Sequence, residues 1–242
     1  MYEKRLKGAV ADRFSCFLRS RGGLFLCCIL LLAVMGCHYR GEAVAGEPEQ
    51  HLAIDRIAVV PFQQIAPEGG EGGAVRCPLC GITIDAAGAP GHQEKILEAL
   101  FLEELNRQKP KFQLLEGERV AAVFRRISAV SLKTNPIQVL RDVGSELGAE
   151  GVVAGYVYRF RERKGVAYSV EAPASVTFEV HLIRVSDGAL VWRGFFAKTQ
   201  GPLMEDLFQI SSFVRAKGRW VTAKELMGEG IEAVLKTFPG LP

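Results

Sequence analysis

The chain has 242 residues, with 30 Lys and Arg against 27 Asp and Glu for a formal net charge of +3, and nearly half of it is hydrophobic. Of those charges, six basic residues (Lys4, Arg5, Lys7, Arg13, Arg19 and Arg21) and two acidic ones (Glu3 and Asp12) fall in residues 1–23, leaving 24 basic and 25 acidic elsewhere, a net of −1. The bulk of the chain therefore has no global field to draw it to nucleic acid or anionic lipid, and no nucleic-acid partner is expected.

The basic segment leads into an apolar run over residues 24–34, then Met35, the small Gly36 and Cys37. A positive n-region, a short apolar core and a small residue are the layout of a secretory signal peptide. The run is shorter than the roughly 20 residues of a comfortable bilayer span. Val34-Met35-Gly36-Cys37 resembles the bacterial lipoprotein lipobox, which implies cleavage before Cys37 and lipid on its thiol. The alternative is an uncleaved signal anchor with an incidental cysteine, since Cys27 and Cys28 lie in the same run. His38, in place of Asp after the cysteine, implies delivery to the outer membrane facing the periplasm. More than one acyl chain would hold the protein there, since a single chain binds only marginally. The expected organisation is a signal peptide over 1–36, a lipidated cysteine and polar flexible tether over 37–53, and one periplasmic domain over 54–239.

The domain opens with an Ile-Ala-Val-Val run within residues 54–62, the pattern of a strand buried on both faces. A long glycine-rich loop is expected over 63–91. Helical periodicity follows over 93–108, with Leu97, Phe101 and Leu105 on one face and Glu103 paired to Arg107 on the other. Lys109-Pro110 ends it. A short strand at 112–115 and a helix marked by Val120, Val123, Phe124 and Ile127 come next. Asn135-Pro136 starts another helix, with Asn as N-cap, Pro at the first position and Gln138 placed to cap back. Leu140, Val143 and Leu147 carry it to Gly148. A strand over 151–160 precedes two alternating runs, 176–185 and 189–198, around the hairpin signal Ser186-Asp187-Gly188.

Near the end, Leu203, Leu207, Ile210 and Val214 form one helical stripe. It is read chiefly as core, with a partner-docking surface as the alternative. Thr222 and Glu225 form a capping box, with Val221 and Leu226 at the positions of a hydrophobic staple, before a last helix ending near Phe238. The order β-α-β-α-α-β-β-β-α gives an α/β fold: a single layered domain with a mixed β-sheet flanked by helices.

Candidate chemistry is sparse. Cys77-Pro78-Leu79-Cys80-Gly81 holds the one conspicuous thiol pair. Exported thiols tend to pair, so a local Cys77–Cys80 disulfide, or two loop thiols without a role, is the expectation. Zinc needs about four ligands; His92, Asp85 or His51 are the residues considered to complete a set, and no second C-x-x-C exists. No metal and no cofactor are expected. A redox C-x-x-C should open a helix after a strand, whereas Ile82-Thr83-Ile84 reads as extended. Glu179 and His181 are read as a pair on the sheet surface, with no nucleophile placed beside them. Glycines 69, 70, 72 and 73 fit no phosphate-binding pattern. Residues 156–164 (YVYRFRERK) are read as a solvated strand end with a basic tip.

Ile57-Ala58-Val59-Val60-Pro61-Phe62, the passage 147–155 (LGAEGVVAG) and Asp187-Gly188-Ala189-Leu190-Val191-Trp192 resemble periplasmic domains of the TolB amino-terminal and curli-secretion-lipoprotein type. Penicillin-binding-protein activator lipoproteins share this general build. The resemblance spans about residues 54–239 and rests on short structural motifs. It implies an envelope protein without catalytic residues that recruits, regulates or assembles envelope or periplasmic partners. A subunit of an oligomeric export assembly is the alternative, and a hydrolase or redox enzyme a further one. The chain departs from the curli channel lipoprotein in having no pair of long alternating segments suited to a transmembrane hairpin.

Overall fold

A computed structural model describes the backbone of residues 44–45 and residues 54–67, 72–87, 91–131, 134–166, 169–201 and 220–241. All of these belong to the second of two units, which spans residues 41–242. The expectations for the signal peptide, for Cys37, and for Leu203, Leu207, Ile210 and Val214 lie outside the described residues.

Two long antiparallel strands form the centre of the sheet, one apolar on both faces over most of its length and the other alternating apolar with polar residues. One is Gly151–Arg161 and the other Ser175–Arg184; nearly every residue of both is buried. A third, Leu190–Thr199, returns antiparallel from the second across the Ser186-Asp187-Gly188 turn. Gly188 sits at φ +77°, a conformation glycine adopts without steric cost. On the other side of Gly151–Arg161 the chain reverses sense. Arg56–Val59 and then Gln63–Gln64 run parallel to it, and Gln113–Leu114 adds to the edge. Numbered in chain order, the strands are β1 (Val44–Ala45), β2 (Arg56–Val59), β3 (Gln63–Gln64), β4 (Gly73–Arg76), β5 (Thr83–Ala86), β6 (Gln113–Leu114), β7 (Gly151–Arg161), β8 (Lys164–Val166), β9 (Ser169–Ala172), β10 (Ser175–Arg184) and β11 (Leu190–Thr199). The main sheet has the order β1-β11-β10-β7-β2-β6, with β3 continuing β2 along β7.

The apolar run expected as one strand over 54–62 is thus broken at Pro61, which has no N–H for the ladder. Phe62 turns inward there against Gly155 of β7. A β-carbon on Gly155 would stand 2.5–2.7 Å from the Phe62 ring. Val44–Ala45, expected to belong to the tether, pairs with Gly194–Phe195 on the free edge of β11.

Helices cover both faces. On one, α1 (Gln93–Arg107) buries Leu97, Phe101 and Leu105, and α4 (Ala223–Leu235) buries Leu226, Met227, Ile231 and Val234. They enclose a core with Val153, Phe178, Leu182 and Trp192. On the opposite face, α2 (Gly117–Val130) and α3 (Pro136–Leu147) cover Ala58, Val152 and Ile183. The helix ends follow their local chemistry. Asn135 Oδ1 accepts from Ile137 N–H at 2.9 Å, Pro136 opens α3, and Gly148 closes it at φ +67°. Gln138 does not cap back; its amide donates to Asp142, one turn on. The Thr222–Glu225 capping box is complete in both directions. Arg107 pairs with Glu104 rather than Glu103, forking onto both carboxylate oxygens at 2.7 Å.

The sheet, parallel on one side and antiparallel on the other and flanked by four helices among the described residues, makes this a mixed α/β domain. The largest departure from the sequence reading lies in residues 63–91. Part of that stretch is the β4–β5 hairpin, which lies over the part of the sheet that α2 and α3 leave open.

Candidate functional site

Strand β10 alternates Val176, Phe178, Val180 and Leu182 with Thr177, Glu179, His181 and Ile183. The first set faces the α1/α4 core, as the two-residue period of a strand requires. The second set puts Thr177, Glu179 and His181 on the opposite face. From sequence, Glu179 and His181 read as a pair on the sheet surface. In the structure both are 0% exposed, because the β4–β5 hairpin is folded over them. Period two gives the face on which a residue lies, but not what covers that face.

The hairpin is held at its far end. Ala87 N–H donates to the Tyr158 carbonyl at 3.2 Å, and Arg159 pairs with Asp85. A register shift in the β7–β10 ladder passes over Tyr158, pairing Val157 with Phe178 and Arg159 with Thr177. This bulge brings Tyr158 and Arg159 to the hairpin side in succession. At its other end the hairpin turns through Cys77-Pro78-Leu79-Cys80-Gly81. Gly81 has φ +72°, its N–H donates to the Cys77 carbonyl at 3.0 Å, and Cys77 N–H donates to the Ile82 carbonyl at 2.9 Å. Cys80 N–H points at Cys77 Sγ from 3.5 Å.

The turn delivers both thiols to the polar face of β10. Cys77 Sγ lies 3.7 Å from His181 Nε2, Cys80 Sγ lies 3.9 Å from Glu179 Oε2, and His181 Nε2 lies 3.6 Å from the same Oε2. One donor atom from each of the four residues lies within 4.8 Å of every other. Both thiols are free in the structure, Cys77 buried and Cys80 half-buried. Around them, Tyr158 donates its hydroxyl to Glu179 Oε2 at 3.0 Å. Arg193 of β11 forks onto Glu179 Oε1 through Nε, at 2.7 Å, and through Nη2. Its guanidinium also stacks over Phe195, 5.1 Å from the ring centre. Tyr156 meets the His181 ring edge-on at 5.9 Å.

The electrostatics follow from burial. Desolvation pushes the Cys77 thiol up to about 12, against the lowering effect of the amide N–H groups of the turn. It pulls the His181 imidazole down to about 4, with the Glu179 charge opposing and the Arg193 charge assisting. Both tyrosine hydroxyls are pushed far up, again chiefly by burial. At neutral pH the Cys77 thiol, the His181 imidazole and both phenols are therefore neutral, set around the Glu179–Arg193 pair. A carboxylate, an imidazole and two thiols are the ligand types that hold zinc.

The other residues considered from sequence are not part of this arrangement. His92 is exposed and pairs with Glu94 at 3.1 Å. Asp85 is exposed and held by Arg159; His51 lies outside the described residues. Of residues 156–164, Tyr156, Tyr158 and Phe160 are buried, so only the stretch from Arg161 onward is a solvated, charged tip.

No family model matches the chain, and no curated protein matches it. Among solved structures it is similar to the PelC dodecamer from Paraburkholderia phytofirmans, with 14% identity over 82% of this chain and 96% of that one and a TM-score of 0.46. It is also similar to lipoprotein GNA1162 from Neisseria meningitidis, with 13% identity over 66% and 95% of the two chains and a TM-score of 0.35. A third similarity is to the LpoB C-terminal domain from Salmonella enterica, with 14% identity over 62% and 87% and a TM-score of 0.36. No residue role is carried over from any of them.

Proposed function

We propose that the protein is a lipid-anchored, outer-membrane envelope protein, facing the periplasm, that acts as a non-catalytic adaptor, regulator or assembly factor for other envelope proteins. The observation that carries this reading is the layout of residues 1–37: six basic residues, a short apolar run and Val34-Met35-Gly36-Cys37. Among the described residues no helix is long and apolar enough to cross a membrane. The absence of a catalytic role is supported by access. The described cluster richest in reactive side chains has Cys77 at 2% exposure and Glu179 and His181 at 0%. A substrate would have to displace the hairpin to reach them.

Two measurements test the reading. Cells fed labelled palmitate should incorporate it into the wild-type chain and not into Cys37→Ala, which should leave the detergent phase on partition; a wild-type chain without label sinks the anchor. The native mass of the wild-type protein in mild detergent, with its co-purifying proteins identified, tests the role. A small complex with one envelope protein supports the adaptor. A large symmetric homo-oligomer replaces it with a subunit of an export assembly.

A further inference from the structure

We propose that Cys77, Cys80, Glu179 and His181 form a closed, four-ligand site for a divalent cation of the zinc class, which pins the β4–β5 hairpin to the face of the central sheet. The geometry comes first. Zinc–sulfur bonds of about 2.3 Å and zinc–nitrogen and zinc–oxygen bonds of about 2.1 Å, directed to the corners of a tetrahedron, separate the donor atoms by about 3.4–3.8 Å. Three donor-to-donor spacings in the cluster are 3.6, 3.7 and 3.9 Å. Four side chains from two elements about 100 residues apart in sequence thus converge on a volume that one cation fills.

The cysteine turn directs a backbone donor at sulfur, Cys80 N–H pointing at Cys77 Sγ from 3.5 Å. The tight return through Gly81 puts both sulfurs on one side of the turn. On β10 the i, i+2 spacing of Glu179 and His181 presents both groups to that side. His181 Nδ1 is buried without a well-formed hydrogen bond, the Ala154 backbone being its polar neighbour, and Nε2 faces Cys77 and Glu179. The surroundings are those of an outer ligand shell: Tyr158 and Arg193 hold the Glu179 carboxylate in place.

Charge completes the argument. With a dication bound, two thiolates and one carboxylate are balanced by the cation and the Arg193 guanidinium, so the occupied site is neutral overall. Burying an uncompensated charge is strongly unfavourable, and this donor set avoids doing so. Two sulfurs and an imidazole select zinc over magnesium or calcium, which take oxygen ligands. With four protein ligands the site has no open position for substrate, so the metal is structural. The inference does not depend on the lipid anchor or on the identity of any partner.

The test uses the full chain extracted from membranes in mild detergent with thiols protected during lysis. Metal content by mass spectrometry should give about one zinc per chain. Replacement by cobalt should produce the intense visible bands of a tetrahedral site together with thiolate-to-cobalt charge transfer. Cys80→Ser and Glu179→Gln should each lose the charge-transfer or tetrahedral signature and at least tenfold in affinity. Cys80 is half-buried at the tip of the hairpin, so Cys80→Ser keeps the test decisive if a variant of His181 or Glu179 fails to fold, with circular dichroism as the check. Chelation of the wild type should increase proteolytic cleavage within residues 72–87. The proposal is overturned by a Cys77–Cys80 disulfide in the protected extract. It is equally overturned if the reduced protein takes up no zinc or cobalt, or if Cys80→Ser binds as tightly as the wild type.

Discussion

Replacing Arg193 by Leu in the metal-free, reduced protein removes the one cation among the described residues that pairs with Glu179, a side chain 0% exposed. Glu179 would then keep only the Tyr158 hydroxyl at 3.0 Å as a strong donor. Breaking a buried pair from one side commonly costs about 3–5 kcal/mol. For a urea dependence of about 2 kcal/mol per molar, the midpoint at pH 7 should therefore fall by about 1.5–2.5 M. Adding Glu179→Gln to Arg193→Leu should recover most of the loss at pH 7. A loss under about 1 kcal/mol at pH 7, or no recovery in the double variant, would refute the reasoning that buried Glu179 is sustained by Arg193.

Gly155→Ala would drive a β-carbon to 2.5–2.7 Å from the Phe62 ring, which packs on Phe101 at 5.5 Å. A cost of about 1–3 kcal/mol is expected, read as a fall in thermal midpoint of about 2–4 °C per kcal/mol and relieved by Phe62→Leu in the same chain. Thr222→Ala removes the hydroxyl half of the capping box that starts α4, leaving the residue-222 N–H donating to Glu225, and should cost about 1 kcal/mol, whereas Thr222→Ser should cost little by the same measure. In the β10–β11 turn, Arg184 and the Ala189 N–H hold the Asp187 carboxyl below its usual range. A depressed folded-state value means its stabilisation is present above the ordinary carboxylate pKa and is lost as pH falls through the folded one. Acid titration of Asp187→Asn should therefore show a shallower loss of stability below about pH 4 than the wild type.

The elements were largely legible because each is specified by neighbours in sequence. The Asn135-Pro136 start, the Gly148 stop, the Thr222–Glu225 box and the Ser186-Asp187-Gly188 turn all rest on contacts within four residues, and all stand as read save that Gln138 bonds Asp142 instead of capping back. The stripes Leu97–Phe101–Leu105 and Leu140–Val143–Leu147 are buried, since a 3.6-residue period leaves one consistent face for a core. Ion pairing was less legible: Arg107 forks onto Glu104, three residues back, and not onto Glu103, four residues back.

The sequence by itself determined that Cys77 and Cys80 lie three residues apart in one loop and that Glu179 and His181 share one face of a strand. Only the tertiary structure decided that these two pairs meet. The glycine-rich stretch around the hairpin carries little hydrophobic periodicity, so nothing local announces where it folds. Its position is set by remote contacts: Ala87 on the Tyr158 backbone, Asp85 on Arg159, and the part of the sheet that α2 and α3 do not cover. A contact 104 residues apart, such as that of Cys77 with His181, leaves no mark on periodicity. For the same reason, polar alternation on β10 read as a solvated face, when it lines the most chemically concentrated interior of the described domain.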